Sequence, residues 1–380
     1  MAQHVLVALA VAQILAAVAL LRRLLPGFRR VPPVEPRPEG LTGTTVTVLV
    51  PTLNEADRVG PCLRGLERQG PPLAEIIIVD SGSSDATVET VEAAARGDGR
   101  IRLLTDPPLP QGWIGKVWAL QHGLAAAHGE WILGMDADTE AQDGMVAAVV
   151  GAALDHGLDL VSFAPRFDGQ TPAERWLQPA LLVTLVYRFG AAGASPVPDR
   201  LLANGQCFLV RRETLRSHGG YEPARRSFAD DVTLARHYAR LGVPTGFLDG
   251  SRLFRVRAYR SAREMWREWG RSVDLADTVS PGRRWGDLAY LILVQGVPVP
   301  LLAAIAVFGL GSAPFVLLWV NSFLLGVRLL LLKELARSYE VRGPPYWLSW
   351  LADPLAVFRI LLSLLRRPSE WRGRVYRSPD

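Results

Sequence analysis

Five carboxylates and one lysine carry most of the chemistry open to this sequence. Asp136-Ala137-Asp138 follows Trp131-Ile132-Leu133, which reads as the end of a buried strand. Carboxylates one residue apart repel each other unless a cation lies between them. An oxygen-only pair suits a hard ion, Mg²⁺ or Mn²⁺, that also holds a diphosphate. Asp230-Asp231 opens a helix that continues through Arg240. Two acids there are either a helix-dipole pair or the source of a general base. Lys116 and Lys333 are the only lysines in a chain that otherwise uses Arg. Lys116 starts a helix after a glycine, where phosphate is attracted and a point charge could offset it. Asp80 ends a second strand and precedes a Gly-Ser turn.

The elements that must position these groups alternate. Strands are expected at Val46–Val50, Glu75–Val79, Ile101–Leu104 and before Asp136, with helices at Arg58–Arg68, from near Ser84 to Arg96, and at Lys116–His128. Alternation of this kind gives a mostly parallel sheet covered on both faces. Strand ends at a topological switch then form a ligand crevice. Ser84 or Asp85 can cap the helix that follows, so Asp85 is as open to a structural role as to a functional one.

The chain has 380 residues, 49% of them hydrophobic, and a net charge of +5. Arginines cluster beside apolar segments, at Arg22-Arg23, Arg29-Arg30 and Arg366-Arg367. That pattern fits the cytoplasmic flank of a membrane rather than a nucleic-acid stripe, and no nucleic-acid partner is expected. Cys62 and Cys207 show no paired spacing, so neither a disulfide nor a Cys-based metal site is indicated.

Taken in order, Pro51-x-x-Asn54-Glu55, Val79-Asp80-x-Gly82-Ser83-x-Asp85-x-Thr87, Gly115-Lys116-x-x-Ala119-Leu120-Gln121-x-Gly123, Asp136-Ala137-Asp138 and Asp230-Asp231 resemble the signatures of family 2 glycosyltransferases with the GT-A fold. Pro110 to Lys116, with the C-terminal apolar segments, looks most like the branch that glycosylates carotenoids and hopanoid-type lipids. The resemblance implies that Asp80 meets the nucleotide base, with Pro51, Asn54 and Glu55 forming the other wall and Glu55 toward the ribose. It implies Lys116 and Asp136 at the diphosphate, Asp138 and Asp136 on the metal, Gly205 close to the donor sugar, and Asp231, supported by Asp230, as the catalytic base. The family more often has Glu-Asp at the last pair. Arg267 and Arg271 share one face of a basic-aromatic helix. They either contact the diphosphate, line an acceptor groove or snorkel from an interfacial helix. The Gln-x-x-Arg-Trp motif of processive synthases is not present in that form.

The expected organisation is a membrane anchor at 1–30, a Pro/Gly-rich linker at 31–44, the GT-A catalytic domain at 45–277 and a membrane region at 278–380. Val5–Leu21 is a short apolar run with its charge after it, which favours a retained anchor over a cleaved signal and leaves an interfacial helix as the alternative. In the C-terminal region 288–332 reads as a helical hairpin. The stretch 346–365, with Asp353 inside and basic flanks, reads as a re-entrant or interfacial helix. Together these features describe a multi-pass cell-membrane protein with a cytoplasmic catalytic domain. The resemblance implies an inverting, metal-dependent transferase moving a sugar from a nucleotide donor to a polyisoprenoid lipid such as a carotenoid. Polyprenyl-phosphate or ceramide-type transfer is the alternative within the class. A degenerate scaffold or sensor, or a transporter, is the alternative outside it.

Overall fold

The computed structural model describes residues 2–194, 197–257, 259, 261–272, 275, 278–309, 311, 314–365, 370–371 and 374–375. The chain divides into two compact units. One is helical and comprises 1–29, 169–191 and 259–368; the other comprises 30–168, 192–258 and 369–380.

The second unit is the expected α/β fold. Its strands are β1 (Val46–Thr52), β2 (Leu73–Asp80), β3 (Ile101–Thr105), β4 (Trp131–Gly134), β5 (Thr139–Ala141), β6 (Leu160–Ala164), β7 (Arg166–Phe167), β8 (Phe208–Arg211), β9 (Thr245–Asp249) and β10 (Phe254–Val256). A seven-stranded sheet runs β3-β2-β1-β4-β8-β6-β9, and a small second sheet runs β5-β10-β7. In the large sheet only β8 is antiparallel to its neighbours, β4 and β6. The β-branched and aliphatic runs of β1, β2 and β4 are buried on both faces, as a parallel centre requires. Helices Ala56–Glu67 and Gly115–Ala126 fall within a few residues of their expected bounds. The second expected helix starts later, at Thr87, because Asp85 is held in a turn before it.

Segment 31–44 has the composition of a linker but is tied along the α/β unit. Val31, Val34, Arg37 and Leu41 donate backbone hydrogen bonds to the carbonyls of Gly193, Asp249, Gly144 and Pro71, at 2.9, 2.9, 3.2 and 3.0 Å. Val31, Val34 and Leu41 also pack on the apolar core. The strap needs Gly144, whose φ is +75° and whose missing Cβ would fall on the Arg37 carbonyl. Gly144→Ala should therefore cost about 2–4 kcal/mol, combining left-handed strain with overpacking. Gly97→Ala, with open space around its Cα, should leave Tm unchanged. Differential scanning calorimetry of both variants checks this; equal melting would mean that the strap contributes nothing.

The helical unit contains helices Ala2–Leu24, Pro172–Phe189, Ala262–Ser272, Pro281–Leu291, Pro298–Phe308, Phe315–Leu335 and Asp353–Leu365. Three stretches are long and apolar enough to cross a membrane: Gln3–Arg29, Pro281–Phe308 and Phe315–Ser338. Bulky apolar side chains such as Phe28, Phe308 and Trp319 point outward, as lipid-facing residues do. The core is built from Leu20, Leu181, Tyr187, Leu291, Leu324 and Ile360. Within the unit Gln13 and Asn321 exchange side-chain hydrogen bonds at 2.8 and 2.9 Å. Arg328 and Asp353 form an ion pair at 2.8 Å, both nearly sealed from solvent, and Gln295 donates to the same carboxylate at 3.2 Å. Polar groups in such a setting have to satisfy one another.

The stretch 346–365 is broken into a turn at Pro344–Trp347, a 3₁₀ turn at Ser349–Ala352 and a 13-residue helix, Asp353–Leu365. That helix is short of the ~20 residues a span needs. Arg366, Arg367 and the hairpin turn residues Ser312 and Ala313 lie outside the described residues. The segment expected to be catalytic, 45–277, is shared between the units: 169–191 and 259 onward belong to the helical one.

Candidate active site

Two loops at the carboxyl ends of β1 and β2 are stitched together. Thr52 and Asp80 are partners in register. Asp80 Oδ1 accepts from Thr52 Oγ1 at 3.0 Å and from Ser83 Oγ at 2.5 Å, and its Oδ2 accepts from the Gly82 and Ser83 amides at 3.0 and 2.8 Å. Asn54, at φ 56°, donates its amide to Ser83 Oγ and accepts from the Ser84 amide, at 2.9 and 2.8 Å. Asp85 accepts from the Ala56 and Thr87 amides at 3.1 and 3.0 Å. Burial works against the charge on Asp85, but the hydrogen bond from the Thr87 hydroxyl and those from these amides win and lower its pKa. Asp85 thus ties the loops together. Glu55 is buried with Arg58, its Oε2 3.4 Å from the guanidinium. Pro51 lies in β1 opposite Val79.

The second half of the site forms where β4 ends. Lys116, on the first turn of its helix, places Nζ 2.8 Å from Asp136 Oδ1 and 3.8 Å from Asp230 Oδ2. Burial works against the ammonium, but Asp136, Asp230 and Asp231 more than offset this and raise its pKa. Asp231 opens its helix and accepts the Gly205 and Val232 amides, both at 2.8 Å. Burial first, and then the Asp230 charge, push Asp231 up to about 7 against the pull of Lys116 and these amides. Asp230 is raised as well, chiefly by burial. Lys116, Asp136, Gly205, Asp230 and Asp231 therefore converge.

Among the described residues no group of three or more His, Cys, Asp or Glu could hold a metal. Asp136 and Asp138 would offer at most two hard oxygen ligands, a donor set that suits an ion completed by phosphate oxygens and water rather than one caged by protein. The ammonium already paired with Asp136 marks this place as one that accepts a cation.

Arg267 belongs to the helical unit, where it pairs with Glu268 at 3.2 Å; the side chain of Arg271 lies outside the described residues. Two supports were not read from the sequence as such. Gln121 Oε1 accepts the Tyr221 amide at 2.7 Å, which gives the Gln of the Gly115–Gly123 motif a task. Tyr221 itself is buried under the influence of Asp230 and Lys116, and burial raises its phenol pKa.

Residues 47–219 match the family model described as Glycosyl transferase family 2. The chain carries a family 2 glycosyltransferase domain. Its relatives include the 4,4′-diaponeurosporenoate glycosyltransferase of Staphylococcus haemolyticus, 24% identical over 59% of each chain, so this chain spans under two thirds of that relative. Another is the succinoglycan biosynthesis protein ExoA of Rhizobium meliloti, 23% identical over 70% of this chain and 80% of that one. Among solved structures the mannosyltransferase PcManGT of Pyrobaculum calidifontis, in complex with GDP-Man and Mn²⁺, aligns over 96% of this chain and 99% of its own. Its TM-score is 0.59 at 20% identity, so the likeness is one of fold. The family 2 domain is interrupted by helix Pro172–Phe189, which belongs to the helical unit.

Proposed function

We propose that this protein transfers a sugar from a nucleotide-sugar donor to a lipid acceptor at a membrane, with inversion at the anomeric carbon. The observation that carries the reading is the meeting of Asp231, poised near neutrality, with Lys116 and Asp136 at the strand ends of a family 2 domain. Asp231 is the base that takes the acceptor proton, and Asp230 supports it. The acceptor oxygen then attacks opposite the departing diphosphate, which gives inversion. Asp136 and Asp138 would hold Mg²⁺ or Mn²⁺, which when bound would supply Lewis-acid stabilisation of the leaving group; Mn²⁺ in the mannosyltransferase complex supports that reading. The loops of Pro51, Asn54, Glu55 and Asp80 take the nucleoside. Asp80 has both oxygens engaged, so it contributes shape to that wall, and a base contact there requires one of its bonds to open.

A polyisoprenoid acceptor is supported by the three span-length helices and by the diaponeurosporenoate relative. Purified protein in detergent, given Mn²⁺ and a panel of UDP- and GDP-sugars, should glycosylate a carotenoid or isoprenoid-alcohol extract. Asp138→Asn should weaken metal-dependent donor binding about tenfold or more. Turnover confined to soluble sugars or proteins would overturn the lipid reading.

The family 2 domain is assigned to the cytoplasm. The basic ends of the three apolar stretches support one sidedness: Arg22, Arg23 and Arg29 at the end of the first, Arg283 and Arg284 at the start of the second, and Lys333 and Arg337 at the end of the third. A phosphatase/β-galactosidase reporter fused after Arg367 should read cytoplasmic; a periplasmic signal would reverse the assignment.

A further inference from the structure

The ammonium of Lys116 is paired with Asp136, one of the two carboxylates read above as the metal-bearing pair. Nζ is 2.8 Å from Asp136 Oδ1, with Asp230 Oδ2 at 3.8 Å behind it. Gly205 also lies against the ammonium. A Cβ there would lie 2.7 Å from Nζ, yet 3.8 Å from Asp231 Oδ2, an ordinary contact. The missing methyl therefore makes room for the ammonium and for nothing else in the cluster.

We infer that Lys116 is an internal counter-cation that competes with the divalent metal for Asp136, so that metal binds well only when a diphosphate arrives with it. The inference rests on the reading of Asp136 and Asp138 as the metal-bearing pair. Several carboxylates crowd this part of the site, and one mostly buried ammonium balances part of their charge. A partly buried ion does not give up its partner without a replacement. A divalent ion sharing Asp136 with Lys116 would face a positive charge a few ångströms away in a medium of reduced dielectric, which weakens its binding. The diphosphate changes this balance. It brings negative charge for both cations, and the flexible four-carbon stem of lysine lets the ammonium turn from Asp136 toward phosphate oxygens. Metal alone then binds weakly, and metal with nucleotide binds strongly. Lys116 is in this sense a positioning residue that couples the two events.

The test uses the full chain in detergent, with Mn²⁺ binding read by the electron paramagnetic resonance signal of the free ion, first alone and then with UDP or GDP. Lys116→Gln removes the competing charge. It should tighten Mn²⁺ binding without nucleotide by about tenfold or more and shrink the factor by which nucleotide strengthens it. Gly205→Ala keeps the lysine but places a methyl against Nζ, and should shift both quantities in the same direction. If either variant fails to fold, the other decides. Unchanged or weaker Mn²⁺ binding without nucleotide in the folded variants would overturn the inference. A wild-type protein that binds Mn²⁺ neither alone nor with nucleotide would instead overturn the metal reading on which it rests.

Discussion

Replacing Asp231 by Asn is expected to lower kcat by about 10²–10⁴-fold, the usual worth of general-base assistance. The change keeps size and polarity, and one side-chain oxygen can still accept the Gly205 or Val232 amide, so the local fold should survive. Donor binding should change little, because the lost atom is needed only when the acceptor proton moves. The pH dependence gives a second signature. A base raised to about 7 is protonated below that value, and its active fraction then falls about tenfold per pH unit. Single-turnover rates should therefore show an acid limb near neutrality that Asp231→Asn lacks. The linkage runs the same way. The folded chain holds this proton more tightly than the unfolded one, so the group favours folding at low pH and loses that contribution as pH rises through about 7. Near-normal turnover in Asp231→Asn would reduce the carboxylate to a helix-terminus charge and make Asp230 the next candidate.

The largest stability effect is expected in the helical unit. Arg328→Met leaves Asp353 buried without its cation and should cost about 3–5 kcal/mol, whereas Arg328→Met/Asp353→Leu should recover most of that loss. The reason is asymmetry: the intact pair roughly balances its own desolvation, but a lone buried carboxylate does not. Only 3% and 2% of the two side chains is exposed, so solvent cannot substitute for the missing partner. Gln295 alone, at 3.2 Å, replaces a fraction of the lost interaction. Thermal unfolding in detergent checks this; equal destabilisation by the single and double changes would mean that the pair is not what ties helices Phe315–Leu335 and Asp353–Leu365 together.

Much of the fold was legible because its signals are local. The β-branched runs of β1 and β2 need only their own composition to read as buried strands, and Asp136-Ala137-Asp138 is recognisable within one turn of chain. Other features depend on distant partners. The segment 31–44 looks like a linker because Pro and Gly dominate it, and nothing in it announces that its amides will find Asp249, Gly144 and Pro71. Asp80 reads as a ligand-facing carboxylate, but Thr52, Ser83 and Gly82 engage both its oxygens. Helix Pro172–Phe189 is not among the expected elements, although Thr171-Pro172-Ala173-Glu174 is a capping box ahead of an apolar run and marks its start. No short-range pattern says that this helix packs with residues from both chain ends.

That shared membership bears on how the molecule is made. Neither unit is one unbroken stretch of chain. A ribosome that has released residues up to about 258 has delivered all seven strands of the large sheet, yet helix Pro172–Phe189 still lacks the C-terminal neighbours that pack with Leu181 and Tyr187. During that interval the apolar face of this helix lacks its cover while the sheet of the other unit is already complete in sequence. Excising 45–277 as a fragment would make the interval permanent.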